Sequence, residues 1–208
     1  MQPGLRAILE RTPAQSEGFI FSRVRSRYPY GSDVYRSVVK AYESMQEAHN
    51  GDTRQSGEAY EEHPKAVASF VIEMYGLHRP PVIIAALDHD MPEDKPEIWP
   101  IERMEGTFGR DVALIVDWGN MRRFNHIENK LLAREAYCLN FFRDAPKHAA
   151  VWKLGDVWHN GHTLWTPTNE KICEKALEIE RFWLPLAYRY DIYVEEIQET
   201  LVKLRNGC

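Results

Sequence analysis

Four stretches of the chain repeat apolar residues at the spacing of an α-helix, and none alternates with the period of two that a half-buried strand requires. Val67, Phe70, Val71 and Met74 fall at i, i+3, i+4 and i+7, in a segment that starts near Pro64, a residue suited to a first helical turn. Leu132, Ala136, Leu139 and Phe142 repeat the pattern, followed by Ile172, Ala176, Ile179 and Trp183, and then by Val194, Ile197, Leu201 and Leu204. Turn-forming residues punctuate these stretches at Asn50-Gly51-Asp52, His78-Arg79-Pro80-Pro81, Glu93-Asp94-Lys95-Pro96 and Thr166-Pro167-Thr168-Asn169. The spacing predicts an all-α protein, a helical bundle forming a single domain over residues 34–208. Residues 1–33, rich in Arg, Tyr, Ser and Pro, read as an N-terminal extension: an extra helix, an oligomer contact or a loose arm.

With 208 residues the chain is long enough to bury a substantial core. A formal net charge of −5 argues against broad nucleic-acid binding, which needs a basic surface, but leaves room for a local phosphate pocket. No apolar stretch approaches the roughly 20 residues of a membrane span, and the first residues lack the apolar core of a signal peptide. The 3 cysteines, Cys138, Cys173 and Cys208, are odd in number and widely spaced. They predict a reduced, cytoplasmic protein without a disulfide framework.

The chemistry concentrates around His89-Asp90, which follows the apolar run Val82–Leu87. Adjacent His and Asp offer a nitrogen and an oxygen donor from one point, a mixture suited to a borderline-hard divalent ion. His63 upstream and Asp156 downstream extend the donor set. If His89 through Asp94 lie on one helix, Glu93 stands one turn from both His89 and Asp90, and Asp94 one turn from Asp90. That would place two proton-transfer groups near a bound ion. The aromatic residues Trp152, Trp158, Trp165, Tyr137, Phe141 and Phe142 sit at helical spacing and read as core rather than as a stacking platform for nucleic acid.

Five segments in order carry a family resemblance. They are Ala48–Pro64 with its Thr53-Arg54-Gln55-Ser56, Ala85–Asp94 with His89-Asp90 and Glu93-Asp94, Phe108–Ala113, Lys153–Leu164, and Leu177–Ile192. Together they resemble the hydrolase domain of the RelA/SpoT family of HD-type metal-dependent phosphohydrolases, over roughly Tyr35 to Leu201. The resemblance implies that His63, His89, Asp90 and Asp156 hold one Mn²⁺, with Fe²⁺ or Zn²⁺ as alternatives, and that Glu93 and Asp94 are the catalytic acidic pair. It implies that Arg54 stacks on a nucleobase while Ser56, Asn160 and Thr163 contact base and ribose. The implied substrate is a small nucleotide, ppGpp or pppGpp, whose 3′-pyrophosphate is removed to leave GDP or GTP. No synthetase region follows the matching segments, so the chain resembles a stand-alone small hydrolase. Oligomerisation is left open.

The sequence also departs from that family. Asp88 replaces the usual apolar residue before the HD pair and reads as facing solvent or capping a neighbour, the alternative being a carboxylate that orients a ligand histidine. Pro92 removes the backbone donor to the Asp88 carbonyl and predicts a kink that displaces Glu93. Basic residues are lost at Gln55, Val157 and His162, so phosphate binding either weakens or recruits Arg122 and Arg123. Two other functions therefore stand beside the first. One is an HD phosphohydrolase acting on an adenine alarmone or on the 2′-phosphate of NADPH. The other is a non-catalytic nucleotide-binding, antitoxin-like module, which would have no chemical need for the full set of ligand and acid residues.

Overall fold

A computed structural model of the chain describes residues 13–163 and 168–208, so Trp165 lies outside the described residues. Among these, the structure is helical throughout and its β content is a single Thr53–Ala59 bridge. The helices run in the order α1 Pro13–Arg27, α2 Asp33–Ala48, α3 Glu62–Met74, α4 Pro80–Asp88, α5 Met91–Asp94, α6 Ile101–Phe108, α7 Arg110–Asp117, α8 Lys130–Asp144, α9 Lys147–Thr163, α10 Asn169–Glu178, α11 Leu184–Tyr190 and α12 Val194–Arg205.

Local chemistry sets the helix ends. Ser32 caps α2 by accepting the Tyr35 N–H at 3.2 Å, and Asn129 caps α8 by accepting from Leu131 and Leu132. Pro80 and Pro81 open α4, where missing N–H groups cost nothing. α4 reads Val82-Ile83-Ile84-Ala85-Ala86-Leu87 with every side chain buried, so it is the central helix. It packs against α2, α3, α7 and α9. α1 lies on α3 through buried Ile20 and Val24. Trp152, Trp158, Trp183, Tyr137 and Phe141 are buried in the same core.

Three expectations are corrected here. In α8 the helical period is present but the buried stripe is Ala133, Tyr137, Cys138 and Phe141, whereas Leu132 and Leu139 are exposed. α8 is apolar on two faces, and spacing alone does not say which one the core takes. Asp88 does not face solvent. It is fully buried and neither carboxylate oxygen has a hydrogen-bond partner, a histidine included, so burial pushes its pKa well up. Finally, Cys173 and Cys208 form a disulfide with Cα atoms 5.2 Å apart, tying the end of the described chain to α10. Residues 35 apart in sequence give no local signal of that contact.

Between α10 and α11 the chain forms a π-helical turn, Ile179–Trp183, in which the Leu184 N–H reaches back to the Ile179 carbonyl. Pro185, which follows directly, supplies no N–H for a regular α-helical bond to Arg181. The wide turn directs the Trp183 indole N–H onto Glu178 at 2.7 Å.

Candidate active site

The helix carrying the HD pair is broken at the pair itself. α4 ends at Asp88, Asp90 precedes α5, and Pro92 sits in the first turn of that short helix. The single-helix premise for Glu93 and Asp94 is therefore corrected. The missing donor of Pro92 ends one helix and lets a second begin, with the Asp94 N–H bonded to the Asp90 carbonyl at 2.8 Å.

At this break, donor atoms from three parts of the chain converge. His63 comes from the first turn of α3, His89 and Asp90 from the α4–α5 junction, and Asp156 from the middle of α9. His63 Nε2 is 3.2 Å from His89 Nε2 and 3.1 Å from Asp156 Oδ1. His89 Nε2 is 3.2 Å from Asp90 Oδ1 and 3.8 Å from Asp156 Oδ1. Bonds of about 2.1 Å at right angles or tetrahedral angles separate neighbouring ligands by roughly 3.0–3.4 Å, so this spacing fits a single divalent ion. Among the described residues, His63, His89 and Asp90 bring donor atoms within 4.8 Å of one another, close enough to share one metal ion.

The histidines are also oriented for this role. His89 Nδ1 lies 3.0 Å from the Ala86 carbonyl, which accepts its proton and leaves the Nε2 lone pair facing the cluster. His63 Nδ1 meets His159 Nδ1 at 2.8 Å. His159 is buried, and its pKa is driven well down by burial and then by His63 and Arg54, so it stays neutral and can accept. Burial likewise lowers His63.

The carboxylates have partners too. Burial opposes the charge on Asp156, but Lys153 and His63 outweigh it and hold that carboxyl well below the usual range. Lys153 Nζ donates to Asp156 Oδ2 at 2.8 Å. Asp90 accepts from the Tyr60 hydroxyl at 2.9 Å.

A cavity of about 470 Å³ opens over this cluster, a size suited to one small-molecule ligand. At one end stands the turn Thr53–Ala59, closed by the Arg54 N–H on the Glu58 carbonyl at 2.9 Å and by Gly57 at φ 89°. It presents Arg54, Gln55 and Ser56 to the cavity. Arg54 Nη2 donates to Asn160 Oδ1 at 2.7 Å and Nη1 lies 3.3 Å from His159 Nδ1, so the edge of the guanidinium is fastened to α9 and its faces are left uncommitted by these bonds. Asn160 in turn donates to Asp156. Asn160 and Thr163 line the same wall, because Lys153, Asp156, Asn160 and Thr163 fall at i, i+3, i+7 and i+10 on one face of α9.

The acidic pair is divided. Glu93 lines the cavity, accepts the Met121 N–H at 3.3 Å, and has its pKa raised chiefly by burial. Asp94 is exposed and does not line it. Val157 is buried in the core, and His162 Nδ1 donates to the Trp158 carbonyl at 2.9 Å. Neither lines the cavity, nor do Arg122 and Arg123, and Arg123 instead pairs with Asp117 at 3.6 Å. The cations that do line it are Arg54, Arg134, Lys153 and Lys175. The last three were not singled out in the sequence, nor were His159 and Tyr60 as partners of the ligands. For Lys153 and His159 a signal existed, since each is three residues from Asp156 on one helix. Tyr60, Arg134 and Lys175 carried none.

Fold and site together define an all-α domain whose buried His–Asp cluster has the spacing of a divalent-metal site. The chain belongs to the HD domain family, which it matches over residues 41–193. It is 32% identical over 166 residues to the bifunctional (p)ppGpp synthase/hydrolase SpoT of Escherichia coli strain K12, a match covering 77% of this chain and 23% of that protein. It is 34% identical over 165 residues to the guanosine-3′,5′-bis(diphosphate) 3′-pyrophosphohydrolase of Haemophilus influenzae, covering 76% and 23%. To the protein of that name from Aquifex aeolicus it is 31% identical over 172 residues, covering 82% and 23%. The chain thus matches about a quarter of the length of these relatives. Among the described residues no helix is long and apolar enough to cross a membrane.

Proposed function

We propose that this domain hydrolyses the 3′-pyrophosphate of ppGpp or pppGpp, with His63, His89, Asp90 and Asp156 holding one divalent ion, Mn²⁺ or Fe²⁺ suiting the mixed nitrogen and oxygen donors best. The observation that carries the reading is the junction of two features in one cavity: four converging donor atoms, and beside them Arg54 held along one edge by Asn160. The likeness to proteins named as 3′-pyrophosphohydrolases supports the substrate.

When bound, the ion makes water a better nucleophile and polarises a phosphoryl oxygen. Arg54 offers its flat face to the base, for which Arg suits better than Lys. Ser56, Asn160 and Thr163 supply polar contacts to base and ribose. Water attacks the phosphorus joined to the 3′ oxygen, that P–O bond breaks, and the 3′ oxygen takes a proton to leave GDP or GTP and pyrophosphate. Glu93 is the side chain placed to hold that proton. Burial raises its pKa above the usual carboxyl value, which favours the protonated form that a proton donor needs. Asp94 assists from the cavity's rim, outside its lining.

The test is ppGpp hydrolysis by purified protein with Mn²⁺, products separated by anion exchange, with chelator, Asp156→Ala and Glu93→Gln controls. Chelator-sensitive release of GDP and pyrophosphate, lost in Asp156→Ala and slowed in Glu93→Gln with metal retained, is the expected result. Intact ppGpp alongside turnover of an adenine alarmone or NADPH would move the assignment to those substrates. Nucleotide binding with no turnover of any would overturn an enzymatic role.

A further inference from the structure

The core takes one apolar face of α8 and leaves the other bare. On the bare side Leu132 and Leu139 are 56% and 44% exposed, and Leu131 beside them is 72% exposed. Leu132, Ala136 and Leu139 fall at i, i+4 and i+7, so they share one side of the helix, opposite buried Tyr137. A groove of about 510 Å³ runs alongside, where Leu131 and Cys138 of α8 face Leu177 of α10 and Phe182. Leu177 is exposed as well, which brings to this surface four of the nine large hydrophobic side chains exposed among the described residues. Exposed leucines scattered singly are ordinary, whereas four gathered together mark a contact surface. None of the four lines the catalytic cavity.

The charges around the stripe say what covers it. Glu135 lies within it but is already paired, accepting from Arg181 Nη2 at 2.7 Å. At the two ends stand Glu128, just before the helix cap, and Arg143, in the last turn, both exposed and neither with an ion-pair partner among the described residues. The stripe therefore carries a free negative charge at one end and a free positive charge at the other. Two such helices laid antiparallel, with a twofold axis between Glu135 and Ala136, set Leu132 of each copy against Leu139 of the other. The same axis brings Glu128 to Arg143 at both ends, and it places small Ala136 opposite the Glu135–Arg181 pair. A parallel pairing would set like charges together. An anionic membrane surface calls for a basic rim, and this rim carries both signs.

We propose that the outer face of α8 is a self-complementary surface that pairs with a second copy of this chain in an antiparallel, twofold arrangement. α8 has 15 residues and is about 22 Å long. The interface is accordingly small, and association is expected in the micromolar range.

Sedimentation velocity of the full chain over a concentration series reads the dimer directly. Wild type should pass from monomer to dimer as concentration rises through the micromolar range. Leu139→Glu should weaken association by roughly a hundredfold or more, because the change falls twice in the centre of the contact. Leu114→Glu, at an exposed leucine on α7, is the control and should leave it unchanged. Arg143→Glu should weaken it by roughly tenfold, and adding Glu128→Arg in the same chain should restore it to within about threefold of wild type. All these positions are exposed, so the variants should fold, and circular dichroism verifies it. A wild type that stays monomeric throughout overturns the second copy as occupant and leaves the face to a different protein or domain. A dimer that survives Leu139→Glu overturns α8 as the interface. Failure of the double charge swap to restore association overturns the antiparallel arrangement.

Discussion

Lys153 holds one oxygen of Asp156 and His63 faces the other: Nζ to Oδ2 is 2.8 Å, and Nε2 to Oδ1 is 3.1 Å. The ammonium is buried among the rings of Tyr137, Trp152 and Trp183, at 5.6, 5.5 and 5.8 Å. A buried cation with aromatic walls and one carboxylate partner has little freedom to move. It therefore fixes which Asp156 oxygen turns toward the histidines.

Replacing Lys153 by Met keeps the stem and removes the charge. Loss of such an outer partner typically weakens metal affinity by about 10- to 100-fold. Mn²⁺ titration of Lys153→Met, with circular dichroism to verify the helical content, checks this. Wild-type affinity in a folded variant would mean that Asp156 needs no orientation from Lys153.

Gly119 tests the packing beneath the cavity. A Cβ built there would lie 2.1 Å from Trp152 Cη2. Trp152 is pinned by its indole N–H on the Ile115 carbonyl at 3.1 Å and cannot retreat cheaply. Gly119→Ala should cost about 1–3 kcal/mol in urea unfolding, the range for overpacking a core. Gly106→Ala, with open space around its Cβ, is the control and should not be strained by contact.

The Glu178 cluster predicts a pH dependence of stability. Burial opposes its ionisation, but Lys175 and Arg134 outweigh burial and hold the carboxyl well below the ordinary value of about 4.3. A folded-state pKa below the unfolded one stabilises the fold above pH ~4.3, and that contribution is lost as pH falls toward the folded value. Glu178→Gln should therefore be less stable than wild type at pH 7, by about 3 kcal/mol. The gap should narrow in urea titrations run at pH 3. An unchanged gap would show that the charge of Glu178 contributes nothing.

Thiol chemistry separates the three cysteines. Cys173 and Cys208 are joined, and burial pushes the Cys138 thiol up to about 12. At pH 8 the native, unreduced protein should show no thiol reactive toward Ellman's reagent, and one after denaturation. Mild reduction of the native protein should expose two. Two reactive thiols before reduction would mean the bridge is not formed in solution.

The sequence by itself determined much of this protein. Helical period placed the helices starting near Pro64 and Val194, because one face of each meets the core and the other meets water. The donor types His63, His89, Asp90 and Asp156 were legible as chemistry, since only such side chains bind a divalent ion. Tertiary structure decided what local spacing does not encode. It chose the Tyr137 face of α8 over the Leu132 face, since both are apolar and only the neighbouring helices distinguish them. It buried Asp88, joined Cys173 to Cys208, and set Arg134 and Lys175 at the end of the cavity. Those contacts link residues far apart along the chain. They follow from how helices pack, and a pattern within one helix carries no information about them.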